Sequence, residues 1–92
     1  MNEALSRESV PRIARGFRFQ WEEAQQCHVL LYPEGMVKLS QSAGEILKRC
    51  DGQRTIAQIV EDLKRQFPGA DLEGDVHTFL GVANERGWIH TQ

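Results

Sequence analysis

Residues 27–63 constrain the fold more than any other part of the chain. The stretch begins with an alternating apolar run, passes through a Pro-Glu-Gly turn and a second short run, and continues into two compact amphipathic segments. Alternation with a period of two is typical of strands, and an apolar period near 3.6 residues is typical of helices. The stretch therefore predicts a small sheet, with a free edge, beside helices.

Three strands are predicted before the first helix. The first contains Phe17, Phe19 and Trp21, which alternate with polar residues as in a half-buried antiparallel strand. The second, Cys27–Tyr32, is apolar on both faces and is predicted to be central. The third spans residues 36–39. Short loops join the three strands, which predicts a meander whose first and third strands are edges.

Three helices follow, each indicated by an apolar stripe and a capping signal. Ser40 or Ser42 can cap the first helix, since Ser42 and Glu45 have the spacing of a capping box. Thr55 begins a second capping box, and Asp71 can cap the third helix. A glycine, rather than a capping side chain, marks the end of the third helix.

Gly87 stands where a left-handed residue is expected after the last helix. Trp88 and Ile89 are then predicted to fold back onto the core as a short extended tail. The predicted fold is α+β: a three-stranded antiparallel meander followed by three helices, close in shape to a winged helix.

The 92 residues suit a single domain. Residues 1–12 lack a clear period and are predicted to be a flexible N-terminal arm, and residues 13–92 form the domain. With 40% hydrophobic and 26% charged residues, the chain has the composition of a soluble globular protein. Its formal charge of −2 provides no general attraction to nucleic acid or to anionic membranes.

The cellular location is predicted from targeting signals and cysteine spacing. No apolar run approaches the roughly 20 residues needed to cross a bilayer, and the N-terminal residues have no secretory signal. Cys27 and Cys50 do not have CxxC spacing. We expect a cytoplasmic protein with reduced thiols, no membrane contact and no nucleic-acid partner.

Candidate catalytic residues and metal ligands are few. His28, His77 and His90 could be combined with the two cysteines, but no two of these residues show zinc-type local spacing. A Cys–His nucleophile pair stays open, because its members could meet in space, but no pattern supports it. The sequence has no GxGxxG, P-loop or GxSxG motif. We expect no enzyme activity, no metal site and no cofactor.

The winged-helix shape makes a DNA-binding regulator the alternative function. Its recognition helix would be the third helix, which carries Glu73, Asp75 and Glu85 against Arg86. DNA affinity is dominated by contacts to phosphates, which repel an acidic helix. The charge of this helix therefore disfavours the alternative.

The free edge suits the binding of an extended peptide, because unpaired main-chain groups can be satisfied by an added strand. The third helix is the candidate wall of the groove, since one of its flanks mixes an aromatic, an apolar and two charged side chains. Proline at Val37 or Leu39 is expected to weaken binding by removing a backbone donor. The predicted peptide-binding residues are Met36, Val37, Lys38, Leu39, Asp75, Phe79, Val82 and Arg86.

Three alternatives remain open for these residues. Phe79 could be a core residue that contacts no ligand. A second copy of the chain could close the free edge and form a homodimer. Lys38 could serve to prevent strand pairing, since lysine on an edge strand discourages unwanted partners.

Two segments, taken together, resemble a known family: RIARGFRFQWEEAQQ and HVLLYPEGMVKLSQSAGEILKRCDGQRTIAQIV. They are similar to the pyrroloquinoline quinone (PQQ) biosynthesis protein D family, PqqD, and the likeness spans residues 11–87. The combination of LLYPEG, SQSAGEIL and CDGQRTIAQIV carries it. The resemblance implies a winged-helix-like domain that recognises leader regions of ribosomally made precursor peptides.

The resemblance also implies two partners. They would be the precursor peptide PqqA and the radical-SAM enzyme PqqE, which cross-links a Glu and a Tyr side chain of that peptide. The chain would be a peptide chaperone, without a cofactor of its own, that presents PqqA to PqqE. In the wider group the leader pairs with the third strand and lies against the third helix. Here those are residues 36–39 and the flank from Asp75 to Arg86.

Overall fold

The computed structural model describes residues 5–69 and 71–91 of the chain. In chain order its elements are β1 (Pro11–Ile13), β2 (Arg18–Glu22), β3 (Cys27–Tyr32), β4 (Gly35–Lys38), α1 (Gln41–Lys48), α2 (Ile56–Gln66), α3 (Glu73–Glu85) and β5 (Ile89–Thr91). The predicted α+β class is confirmed: the meander precedes three helices, and two further short strands lie near the chain ends.

The strands β2, β3 and β4 form the predicted antiparallel meander in that order. β3 is central, as its apolar residues on both faces predicted, and its Val29 and Leu30 are fully buried. β4 begins one residue earlier than predicted and ends at Lys38. Leu39 still pairs with the sheet, because its N–H donates to the carbonyl of His28 at 3.0 Å.

The hydrophobic core lies between one face of this sheet and the three helices. Leu30 and Leu39 contribute to it from the sheet side. The backbone of α1 lies close to β3 at Gly44, where a Cβ atom would lie 2.8 Å from Nδ1 of His28. The His28 ring is stacked on Phe19, with 4.8 Å between ring centroids. β5 contributes Ile89, and the helices supply the other large buried residues of this core: Ile46, Leu47, Ile56, Ile59, Val60, Leu63, Val76 and Leu80.

The first two helices begin at capped residues. Thr55 forms the predicted capping box with Gln58 at the start of α2. Ser40, rather than Ser42, is the N-cap of α1, and its Oγ accepts the N–H of Ala43 at 3.1 Å. The N-cap of the first helix therefore directly follows Leu39, the residue that ends the sheet pairing.

The third helix differs from the prediction at its start and agrees with it at its end. The cap predicted at Asp71 is wrong, because the N-cap is Leu72, which makes no side-chain cap hydrogen bond. Glu73 and Asp75 in the first turn instead complement the positive end of the helix dipole. Gly87 has φ of 77° after the helix, as predicted.

A second antiparallel sheet joins β1 to β5, which the sequence did not predict. Pro11 pairs with Thr91 and Ile13 with Ile89, so the tail folds back as expected and gains a strand partner. The flexible arm predicted over residues 1–12 is therefore wrong at residues 11 and 12, which belong to β1. For the rest of the chain, the division into a flexible arm and a domain stays a prediction.

The segment before β1 is attached to α2. The carbonyl of Ser9 accepts the N–H of Ile56 at 2.9 Å, and that of Arg7 accepts the N–H of Ala57 at 3.0 Å. N–H groups in the first turn of a helix have no acceptor within the helix, and this segment supplies an acceptor for those of Ile56 and Ala57. Residues 1–4 of the predicted arm lie outside the described residues.

Candidate functional site

The outer side of β4 is an edge of the meander. β4 is the last strand in the order β2-β3-β4, and no other strand among residues 5–69 and 71–91 pairs with its outer side. The free edge predicted for the third strand is therefore present in the described part of the chain.

The main-chain groups that face outward along this edge follow from the pairing. Leu39 donates to His28, and Lys38 lies opposite Val29 in the register. Hydrogen-bonded and non-hydrogen-bonded pairs alternate along an antiparallel ladder. The N–H and C=O groups of Val37 and Leu39 therefore face β3, and those of Met36 and Lys38 face outward.

This alternation changes which residues should be replaced by proline to test binding at the edge. Proline at Val37 or Leu39 would remove a donor from the sheet itself, not from the edge. Side-chain burial follows the same alternation, since Leu39 is buried and Val37 packs against the core, while Met36 and Lys38 are exposed. The four predicted strand residues thus divide into two that hold the sheet and two that border open space.

The predicted flank of α3 forms one face of that helix, because its residues are three or four positions apart. Asp75, Val82 and Arg86 are exposed, and Phe79 is half-buried against the core. Phe79 thus packs partly against the core, as in the alternative that treats it as a core residue. Trp88, which the sequence indicated only as part of the tail, extends this surface. The centroid of its ring lies 6.4 Å from the ring centroid of Phe79. The guanidinium carbon of Arg86 lies 5.5 Å from the Trp88 ring centroid.

A cleft of about 730 Å³ opens between the start of α1, the end of α2 and the first half of α3. Asp75 and Phe79 are the predicted site residues that line it, whereas Val82, Arg86 and the strand residues do not. The lining begins at Ser40, directly after Leu39, so the cleft adjoins the end of β4. Its full lining is Ser40, Gln41, Ser42, Ala43, Glu45, Ile46, Leu63, Phe67, Leu72, Asp75, Val76 and Phe79.

Sequence reasoning missed the contribution of α1 and α2 to this cleft. The apolar residues Ile46, Leu63 and Phe67 belong to the stripes that predict the first two helices, but which helices meet depends on tertiary packing. One usable signal was the absence of a linker between the edge strand and the cap at Ser40, which brings α1 beside that edge.

Glu45 and Asp75 are the charged residues that line the cleft. Oε1 of Glu45 accepts a hydrogen bond from Nη1 of Arg49 at 2.9 Å, whereas Asp75 makes no ion pair within the described part of the chain. Burial acts to lower the pKa of Arg49, but hydrogen bonds to Glu45 and Asp62 raise it above its usual value. Arg49 therefore stays charged and neutralises the Glu45 side of the cleft.

The described residues offer little for catalysis. Nowhere in residues 5–69 and 71–91 do three His, Cys, Asp or Glu side chains lie together as a metal ion would need. The Cys50 thiol donates to the carbonyl of Ile46 at 3.4 Å, and burial raises its pKa to about 12. A protonated thiol is not a nucleophile at neutral pH. None of the helices described is long and apolar enough to cross a membrane.

Comparison with known sequences identifies the family. The family described as "Coenzyme PQQ synthesis protein D (PqqD)" matches residues 27–89. The chain is 62% identical over 81 residues to the PqqA binding protein of Azotobacter vinelandii, covering 87% of this chain and 88% of that protein. It is 58% identical over 88 residues to the PqqA binding protein of Pseudomonas paraeruginosa, covering 95% and 96%.

Two solved structures share the fold. One is the solution NMR structure of the PqqD truncation of Methylobacterium extorquens PqqCD, described as a functional, stand-alone recognition element for ribosomally synthesised and post-translationally modified peptides (RiPPs). It has a TM-score of 0.76 and 34% identity, and the match covers 95% of each chain. The heterocyclase TruD matches with a TM-score of 0.69 and 27% identity over 91% of this chain and 12% of TruD. The chain thus belongs to the PqqD family of coenzyme PQQ synthesis proteins.

Proposed function

We propose that this protein binds the precursor peptide PqqA as an added strand on the outer edge of β4 and presents it to PqqE during PQQ biosynthesis. The observation that carries the proposal is the open edge of β4, with outward main-chain groups on Met36 and Lys38. The cleft adjoins the end of this strand, because Ser40 is one of its lining residues. The relatives named PqqA binding proteins and the related RiPP recognition element support the choice of peptide.

The edge alone would hold a peptide weakly. Met36 and Lys38 each offer one outward N–H and one outward C=O, and a hydrogen bond contributes about 1 kcal/mol net. Their sum, about 4 kcal/mol, is half of the roughly 8 kcal/mol that a micromolar dissociation constant requires. At about 25 cal/mol per Å², the rest corresponds to roughly 160 Å² of buried apolar surface, before any ordering of the peptide is counted. Side chains of the guest must therefore be buried as well.

The flank of α3 is the proposed source of that burial. Phe79 and Val82 offer apolar surface, and Asp75 and Arg86 offer charges of both signs beside it. A guest strand held by its main chain at the edge would turn one row of side chains toward this flank. The remainder of the peptide would stay outside the domain and could reach PqqE, which is the presenting role proposed here.

Binding at the edge is tested with the isotope-labelled protein and a synthetic PqqA peptide. Amide shifts are expected in residues 36–39 and 75–86. Lys38→Pro removes an outward donor and leaves the ladder to β3 complete, as proline on an edge strand permits. This variant should stay folded and bind about five- to tenfold more weakly, by the loss of about 1 kcal/mol or slightly more.

The matched control lies on the opposite edge of the same sheet. Gln20 pairs with Val29, so the alternation along β2 directs the N–H of Trp21 outward. Trp21→Pro should therefore leave the affinity for PqqA within about twofold of the original, a difference below about 0.5 kcal/mol. A folded Lys38→Pro protein that binds as well as the original would contradict strand addition at β4.

The presenting role needs a separate measurement. Sedimentation of the protein, PqqA and PqqE together should reveal a complex of all three, which Lys38→Pro should reduce in proportion to its loss of PqqA. The same experiment without partners reports whether two copies close the edge on each other. Binding of PqqA to PqqE that is unaffected by this protein would contradict presentation. The DNA-binding alternative is disfavoured, because its recognition helix is acidic in its first turn.

A further inference from the structure

We infer that the cleft takes an apolar side chain of the guest peptide, and that Asp75 at the cleft favours a peptide with Lys or Arg close to that side chain. This inference rests on the proposed function and adds to it the chemistry of the segment that is recognised. It commits to one occupant of the cleft, namely the same peptide that extends along β4.

The position of the cleft makes the guest peptide its occupant. The lining includes Ser40, which directly follows the last edge residue that pairs with β3, and Phe79 on the α3 flank. A peptide that leaves the edge in this direction therefore meets the cleft next. Its volume, about 730 Å³, is within the range of roughly 300–1,000 Å³ that holds small ligands, so a large side chain fits.

The walls of the cleft favour an apolar side chain. Ile46 and Leu63 are buried parts of the core, and Phe67, Val76 and Phe79 line the space beside them. Ser40 and Ser42 are already engaged near the mouth, because Ser40 Oγ caps α1 and lies 3.3 Å from Ser42 Oγ. The polar groups that remain are mostly the two carboxylates.

The charge at the mouth is what distinguishes one apolar peptide from another. Arg49 engages Glu45, whereas Asp75 is exposed and lacks an ion-pair partner among the described residues. Among the residues that the structure describes, no Lys or Arg lines the cleft. An approaching cation is therefore attracted to Asp75, and the aliphatic stem of Lys or Arg can cover apolar surface beside it. An anionic residue at the same place would be repelled.

Asp75 also lies in the first turn of α3, where a carboxylate stabilises a helix whether or not a peptide is bound. That structural role changes the free energy of unfolding but makes no distinction between guest peptides. The test therefore compares peptides, and pairs each with a variant protein.

The probe is the PqqA peptide and a set in which each Lys or Arg is replaced singly by Gln, titrated calorimetrically. With the original protein, one replacement should weaken binding about three- to fivefold, as for a partly exposed ion pair. With Asp75→Asn, that replacement should have no further effect, and raised salt should reduce the difference. Asp75→Lys should bind the peptide with Glu at the same position more tightly than the unmodified peptide.

Asp71→Asn is the matched control, because Asp71 is exposed before α3, does not line the cleft and carries the same charge. It should preserve the discrimination between peptides. Equal effects of every replacement on the original and Asp75→Asn proteins would overturn the inference while leaving the proposed function intact. Failure of the folded original protein to bind unmodified PqqA would overturn both.

Discussion

Nε of Arg49 donates to Oδ2 of Asp62 at 2.5 Å, joining the end of α1 to the middle of α2. The same guanidinium donates through Nη1 to the carbonyl and carboxylate of Glu45, and through Nη2 to Oε1 of Gln66. The Arg49 side chain is only 8% exposed. A single buried cation thus holds together the two helices that form one side of the cleft.

Replacing this cation should destabilise the protein. Arg49→Ala leaves Asp62, Glu45 and Gln66 without their shared donor, although the partly exposed Asp62 can recover water. We expect a loss of about 2–3 kcal/mol in the free energy of unfolding, below the full penalty for a broken buried pair. Urea unfolding followed by circular dichroism measures it. Arg65→Ala is the control, since Arg65 is 77% exposed and 3.7 Å from Asp62, and should change stability by less than about 0.5 kcal/mol.

The same pair predicts a dependence on pH. The hydrogen bond from Arg49 lowers the pKa of Asp62, and the charges of Arg49, Arg54 and Arg65 act in the same direction against partial desolvation. A lowered folded-state pKa contributes stability above the unfolded-state pKa, near 4, and the contribution disappears as pH falls through the folded value.

Unfolding measured from pH 7 to pH 2 should therefore separate Asp62→Asn from the original protein. The difference in their stability should be constant above about pH 5 and shrink toward acid. Glu73→Gln is the comparison, because the hydrogen bond from Arg7 lowers the pKa of Glu73 independently. A difference that persists unchanged at pH 2 would mean that the Asp62 charge contributes nothing to the pair.

Glycine is required at one helix position but not at another. A Cβ at Gly44 would lie 2.8 Å from Nδ1 of His28, whose ring is confined by Phe19 and by Trp21 at 5.0 Å. Gly44→Ala should lower stability by about 1–2 kcal/mol, since overpacking outweighs the gain in helix propensity. Gly81→Ala, with nothing within 4 Å, should raise it by about 0.5–1 kcal/mol. Thermal unfolding compares them, and equal effects at both sites would contradict this contact.

The segment before β1 should stabilise α2. Starting the chain at Val10 removes the carbonyls of Arg7 and Ser9, which accept from the first turn of that helix. We expect a loss of about 2 kcal/mol, about 1 for each hydrogen bond, and faster hydrogen exchange at Ile56 and Ala57. Arg7→Ala retains the backbone and removes only the ion pair with Glu73, so it should change stability by less than about 1 kcal/mol. Unaltered exchange in the shortened chain would show that water replaces these acceptors without loss.

Signals that lie close together in the sequence predicted much of this fold. The capping box at Thr55 and the alternation in β2 each involve residues a few positions apart, whose geometry the backbone itself determines. The pairing of Pro11 with Thr91 escaped prediction, because three-residue strands show no period and their partners lie near opposite ends of the chain. The cap at Asp71 failed because α3 begins without a side-chain cap.

The sequence likewise predicted only part of the candidate site. Helical spacing brought Asp75 and Phe79 to one flank, and both line the cleft. Whether Val37 or Lys38 turns its main chain outward depends on which pairs of the β3–β4 register are hydrogen-bonded. The bond from Leu39 to His28 identifies those pairs, and hydrophobic periodicity does not encode them. The arrangement of α1 and α2 around the cleft likewise arises from tertiary contacts, so their side of the cleft could not be predicted from helical spacing.

The position of Trp88 beside Phe79 and Arg86 has a practical consequence. The emission of an indole responds to nearby cations and to exclusion of water, and this ring adjoins the flank proposed to receive the guest. Replacing the exposed Trp21 by Phe leaves Trp88 as the sole tryptophan. Such a protein carries its own fluorophore, and its intrinsic fluorescence would follow occupancy of the flank without any attached label.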